Sequence, residues 1–134
     1  MMDRLEVTLT VPEGDTSGSI RTPYTSGLVE CIFLVSDFAE GTPALAIVAE
    51  EPIGEVSGSR LILQLNVTGG GAMTFYPRTP VVDRDNIPVQ YAEGFPVNEK
   101  IPVYGAIVIS VSNVQAGDRF SFSIYLSNSN HDRR

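Results

Sequence analysis

Apolar and polar residues alternate with period two in stretch after stretch of this chain, and that feature excludes most folds. In Leu5-Glu-Val-Thr-Leu-Thr-Val11 the apolar positions are 5, 7, 9 and 11. Phe120, Phe122, Ile124 and Leu126 alternate with Ser121, Ser123 and Tyr125, and Leu61, Leu63, Leu65 and Val67 alternate with Ile62, Gln64, Asn66 and Thr68. Successive side chains of a strand point to opposite faces, so each run buries one face and leaves the other to water or to a partner. No helix-length segment repeats its apolar positions with helical period, so no substantial helix is expected.

The alternation predicts strands over residues 5–12, 16–22, 28–37, 44–50, 60–67, 73–77, 103–113 and 119–126. Turn signals separate them: Glu13-Gly-Asp15, Thr25-Ser-Gly27, Glu40-Gly-Thr-Pro43, Ser57-Gly-Ser59, the triplet Gly69-Gly-Gly71 and Ala116-Gly-Asp118. Short antiparallel strands in this number predict an all-β, single-domain β-sandwich with jelly-roll topology. An immunoglobulin-type sandwich ranks second, because the chain lacks tryptophan and has one cysteine. The domain spans residues 1–127, with 1–15 either an extended N-terminal arm or an edge strand, and 128–134 a polar tail.

One segment breaks the rhythm. Residues 78–102 hold no convincing strand and contain Pro80, Pro88, Pro96 and Pro102. A loop of this length inside a compact domain is uncommon and usually functional or disordered. Its apolar content (Val81, Val82, Ile87, Val89, Tyr91, Phe95, Val97) predicts an ordered loop packed on a sandwich edge or on another subunit.

Motifs that would carry chemistry are absent or incomplete. Gly69–Gly71 lacks the following helix and the lysine of a phosphate-binding loop, and reads as a hairpin turn. Cys31 sits in an apolar run and reads as a buried small hydrophobe; the one histidine, His131, lies in the tail SNSNHDRR. No serine–histidine–acid arrangement is credible on that basis. Asp83-Arg-Asp85-Asn86 lacks the glycine and distal glutamate of a calcium loop and reads as a solvated turn. Glu50-Glu51 ends a strand before Pro52, where charge discourages stray pairing. Paired carboxylates are spatial and not legible in sequence, but glycosidase clefts usually carry aromatic platforms and this chain has no tryptophan. No catalytic residue, cofactor or metal is assigned.

Charge narrows the partners. A net charge of −7, with a single lysine among nine basic residues, disfavours nucleic acid and anionic membranes. No apolar run approaches a membrane span, and no secretory leader follows Met1, so synthesis in a reducing cytoplasm is expected. What remains is surface. Aromatics gather at Phe75, Tyr76, Tyr91, Phe95 and Tyr104, around the long loop, and aromatics and arginine are enriched at interface centres. Phe75 and Tyr76 are neighbours on one strand, so both cannot face the same core. Phe75, Tyr76, Arg78, Val82, Ile87, Tyr91, Phe95 and Tyr104 are the candidate partner-contacting residues, with ordinary core packing of the aromatics the competing reading.

Ser17-Gly-Ser19, Thr22-Pro23, Ser26-Gly-Leu-Val-Glu-Cys-Ile-Phe33, Phe75-Tyr-Pro-Arg78, Ile101-Pro-Val-Tyr-Gly105 and Ala116-Gly-Asp118 follow one another in an order that resembles the small β-sandwich proteins that decorate or cement capsids of tailed bacteriophages. The resemblance covers roughly residues 15–127 and rests on that order. It implies a non-enzymatic virion protein, made in the host cytoplasm, that binds the major capsid protein on the capsid surface as a homo-oligomer, a dimer or trimer. The N-terminal residues 1–27 and the long loop are then the segments expected to reach neighbours. The alternative is a carbohydrate- or receptor-binding jelly-roll module of a phage fibre or tail, with Tyr76, Tyr91 or Phe95 stacking on sugar rings.

Overall fold

A computed structural model describes residues 2–53 and 56–127, with the side chains of all but residues 2, 52, 53, 56, 57, 91 and 96. His131 and the rest of the tail lie outside the described residues. The strands are β1 (Met2–Thr10), β2 (Ser17–Arg21), β3 (Thr25–Asp37), β4 (Ala44–Ile53), β5 (Val56–Asn66), β6 (Gly71–Phe75), β7 (Arg78–Pro80), β8 (Gln90–Ala92), β9 (Phe95–Pro96), β10 (Asn98–Lys100), β11 (Pro102–Gly105), β12 (Ile107–Ser112) and β13 (Arg119–Ser127).

Two antiparallel sheets carry the fold. The first runs β1-β13-β3, and the far edge of β3 is shared by β6 over residues 32–36 and β11 over 25–28; the second runs β2-β12-β4-β5. Strands β1, β3 and β6 thus lie in the first sheet and β2, β4 and β5 in the second, and β12 and β13 return to complete one sheet each. This is the jelly-roll strand order, as the alternation predicts. The apolar positions of the alternating runs meet between the sheets: Leu9, Ile32, Leu34, Phe120, Phe122 and Ile124 from the first face Leu45, Ile47, Ile107, Ile109 and Val111 from the second, all buried. Truncating Phe122 to alanine in such a core costs about 3–5 kcal/mol.

The expected strand over 103–113 is divided at Ala106. Its first part, β11, pairs with β3, and its second, β12, pairs with β4 and β2, so the chain passes from one sheet to the other at this residue. Thr22 stitches the corner: its Oγ1 accepts from the Ile107 amide at 2.9 Å and donates to the Pro23 carbonyl at 2.9 Å. Asp118, also buried, ties together the opposite end, accepting from the amides of Ala39 (3.3 Å) and Gln115 (2.9 Å).

Several local expectations are corrected. The glycine triplet is not a hairpin turn, because it leads from β5 in one sheet to β6 in the other; Gly71, at φ +114, opens β6. Cys31 is half-buried on the outer face, not in the core. The cause is a bulge: β13 pairs Tyr125 with Cys31 and then Leu126 with Val29, so Glu30 is an extra residue and the faces exchange there. A second bulge between the Leu61↔Val48 and Leu63↔Ile47 pairs buries Ile62 and turns Leu61 outward, 53% exposed. Glu50 and Glu51 do not end their strand, which continues to Ile53; they pair with Arg21 (2.7 Å) and Arg60 (2.9 Å). The N-terminal residues form an edge strand on β13, with unbroken register from Met2↔Ser127 to Thr10↔Arg119.

Candidate functional site: an apolar arm and a polar trough

Residues 78–102, expected to hold no strand, are built of short ladders. β7 pairs with β10, β8 pairs with β9, and Val82 bridges to Pro88. Three valines close a ring of backbone hydrogen bonds: Val81 donates to Val97 (2.9 Å), Val97 to Val89 (2.9 Å) and Val89 to Val81 (2.8 Å). The tip is a polar turn. Asp83 Oδ1 accepts from the amides of Asp85 (2.9 Å) and Ile87 (3.0 Å), with Asn86 at φ +63. The Asp83 carboxylate is therefore engaged by its own turn, and no cluster of metal-ligating side chains occurs among the described residues.

The arm is rooted where β3 changes partners. Between the segment of β3 held by β11 and the segment held by β6, the Arg78 guanidinium donates to the carbonyls of Val29 (3.4 Å) and Glu30 (3.2 Å) and to its own neighbour Pro77 (2.7 Å). Lys100, on the returning strand β10, places Nζ 2.7 Å from Glu30 Oε2. Hydrogen bonds from Lys100 first and Ser127 second hold the Glu30 carboxyl below the ordinary glutamate range, against a smaller opposing effect of burial. The bulged residue Glu30 thus supplies both the carbonyl and the carboxylate that clamp the arm's two legs.

The sequence-derived contact residues separate into three groups. Phe75 packs half-buried against the core and Tyr76, its neighbour, is 66% exposed, the opposition that their adjacency requires. Arg78 serves the root of the arm. Val82, Ile87 and Phe95 are exposed along the arm, and Tyr104 is exposed on β11 beside its base. The Tyr91 side chain lies outside the described residues. The loop forms short ladders of its own, and Val82 and Ile87 expose their side chains where packing on a sandwich edge is expected. Val89 joins them, at 37% exposure.

Sequence reasoning missed two features. Tyr24, at 71% the most exposed large apolar residue among the described residues, precedes the Thr25↔Gly105 pair at the β11 end of the first sheet; its signal was the Pro23-Tyr24 step just outside a strand. The second is a trough of about 750 Å3 on the outer face of the second sheet. Its floor is Ser17 and Ser19 of β2, Ser110 and Ser112 of β12, and Ala44 and Ala46 of β4, with Gln64 and Asn66 of β5 forming a wall. Small residues facing outward on three adjacent strands leave the concavity open. Its polar groups are uncharged hydroxyls and carboxamides, each able to donate and accept.

Set against protein-family models, curated proteins and solved structures, the chain matches none.

Proposed function

We propose that this protein is a non-enzymatic structural binding module that docks through the 78–102 arm onto a multisubunit protein shell, specifically the outside of a tailed-phage capsid built of major capsid protein. The observation that carries the reading is the arm itself: Val82, Ile87, Val89 and Phe95 expose apolar surface on a segment braced by its own ladders and clamped at its root. An ordered segment that leaves such residues in water has a surface suited to a partner. Preorganisation reduces the entropy lost on docking. A protein that binds only the assembled shell stabilises it by mass action, without any chemical step. The order of motifs that resembles capsid decoration proteins supplies the identity of the shell.

The test is to mix purified protein with undecorated capsids and measure binding and heat resistance. Saturable, stoichiometric binding with a raised disruption temperature supports the reading. Absence of binding to heads, tails and fibres overturns it.

One observation favours a second reading, a glycan-binding module of a fibre or tail. The uncharged trough offers four serines, Gln64 and Asn66 to a hydroxyl-rich ligand, within the size range of small-ligand sites. Binding on a glycan array that is lost in a Ser110→Leu variant would select this reading over the first.

A further inference from the structure

We propose that β1 is a homodimerisation edge: two copies join through antiparallel pairing of their β1 strands about a two-fold axis at Val7, making one continuous sheet. The inference concerns the free protein and does not depend on the shell reading.

Among the described residues the edge is open, and it is regular. β1 ends the first sheet, and its register on β13 carries no bulge from Met2 to Thr10. The other long edge, β5, is interrupted by the bulge at Ile62, a device that turns a strand away from stray pairing; β2 and β6 are short. The direction of the free groups follows from Val11, whose N–H donates to Asp118 and whose carbonyl accepts from Gly117, both on the β13 side. With regular alternation, residues 5, 7 and 9 also address β13, while Arg4, Glu6, Thr8 and Thr10 turn their N–H and C=O groups to the open edge.

Those groups select a register. An axis at Val7 sets Glu6 opposite Thr8 of the second copy and Arg4 opposite Thr10, so that every outward backbone group from Arg4 to Thr10 is paired. On the core face Leu5 then meets Leu9 and Val7 meets Val7. No like charges stand directly opposite, and Arg4 and Glu6 are already paired within the strand at 3.2 Å. Moving the axis to Leu5 would set Val7 against Asp3, and moving it to Leu9 would set Glu6 against Pro12, which has no N–H.

A second observation comes from the seam between the sheets. Leu5 and Val7 are only half-buried, and with Ile20 and Pro23 they line a cleft of about 220 Å3 between β1 and β2. A two-fold axis perpendicular to the sheet keeps both core faces on one side, so the second copy's Leu5, Val7 and Leu9 extend the apolar layer past the point where it is now open.

Sedimentation of the full chain in free solution is expected to give twice the 14.5 kDa chain mass. Thr8→Pro removes an N–H that the fold does not use and is expected to give a folded monomer by sedimentation and circular dichroism. In a Cys31→Ser background, Val7→Cys is expected to form an interchain disulfide on oxidation, because unbonded antiparallel pairs bring Cα atoms to about 4.5 Å. Leu5→Cys alone should not cross-link, whereas Leu5→Cys combined with Leu9→Cys should. A wild-type monomer, or equal cross-linking of Val7→Cys and Leu5→Cys, overturns the proposal. So does a dimer that survives in folded Thr8→Pro.

Discussion

Lys100 Nζ meets Glu30 Oε2 at 2.7 Å, joining the returning leg of the apolar arm to the one bulged residue of β3. The pair spans 70 residues of chain, so it fixes the arm on the sandwich and not merely one turn on the next. Arg78 grips the carbonyl of the same residue from the arm's other leg.

Glu30→Gln is expected to lower stability by about 0.5 kcal/mol at neutral pH, the scale of a partly exposed ion pair. The sign in pH follows from the direction of the shift. A carboxyl whose pKa is lowered on folding contributes stability above its unfolded value, and loses it as pH falls through the folded one. Wild type and Glu30→Gln should therefore differ at pH 7 and converge as pH drops below the ordinary 4.5. Urea denaturation at a series of pH values checks this. A gap that widens in acid would remove the ion pair from the account.

Gly27→Ala is expected to be among the most damaging single-methyl additions. Gly27 sits at φ +149, and a Cβ built there would lie 2.7 Å from the Ser127 carbonyl oxygen, which is backbone and cannot swing away. Left-handed strain and the clash together place the loss at about 2–3 kcal/mol. Thermal melts would detect it directly. The same observation explains the glycine of Ser26-Gly-Leu-Val-Glu30 by local packing, independently of any binding role.

Asp118→Ala should cost about 1–3 kcal/mol, because it strips acceptors from the Ala39 and Gln115 amides while leaving them in place. Asp118→Asn, which keeps one acceptor oxygen, should recover part of that loss. Chemical denaturation of the two variants side by side measures the difference. Equal stability of the alanine variant and wild type would show that water replaces the carboxylate without penalty.

The sandwich was legible because period-two alternation states both that a segment is a strand and which face is buried. Phe120, Phe122, Ile124 and Leu126 are buried as their spacing requires. The two misplaced faces share one physical cause: bulges carry no composition signal and exchange the two faces. Glu30 put Cys31 outside, and Ile62 put Leu61 outside while burying itself. The arm was unreadable as structure because strands of two or three residues, two of them containing proline, are too short to show alternation. Its order comes from the Val81–Val89–Val97 hydrogen-bond ring and from Lys100 and Arg78, which are tertiary relations. The trough depended on small outward residues of β2, β12 and β4 becoming neighbours, which no single stretch of chain displays.

The arm's apolar residues separate binding from folding. Ile87 is 57% exposed and Val82 45%, and neither contributes to the buried core, so Val82→Asp and Ile87→Asp should change stability by no more than about 0.5 kcal/mol. If the arm is the docking element, the same variants should weaken capsid binding at least tenfold, since a charge would be desolvated at a contact that wild type makes with apolar surface; tenfold corresponds to about 1.4 kcal/mol. Leu61→Asp, similarly exposed but on β5 of the other sheet, serves as the control and should leave binding unchanged. Binding isotherms on undecorated capsids, with melting curves for each variant, distinguish the outcomes. Undiminished binding by both arm variants would place the contact elsewhere on the molecule.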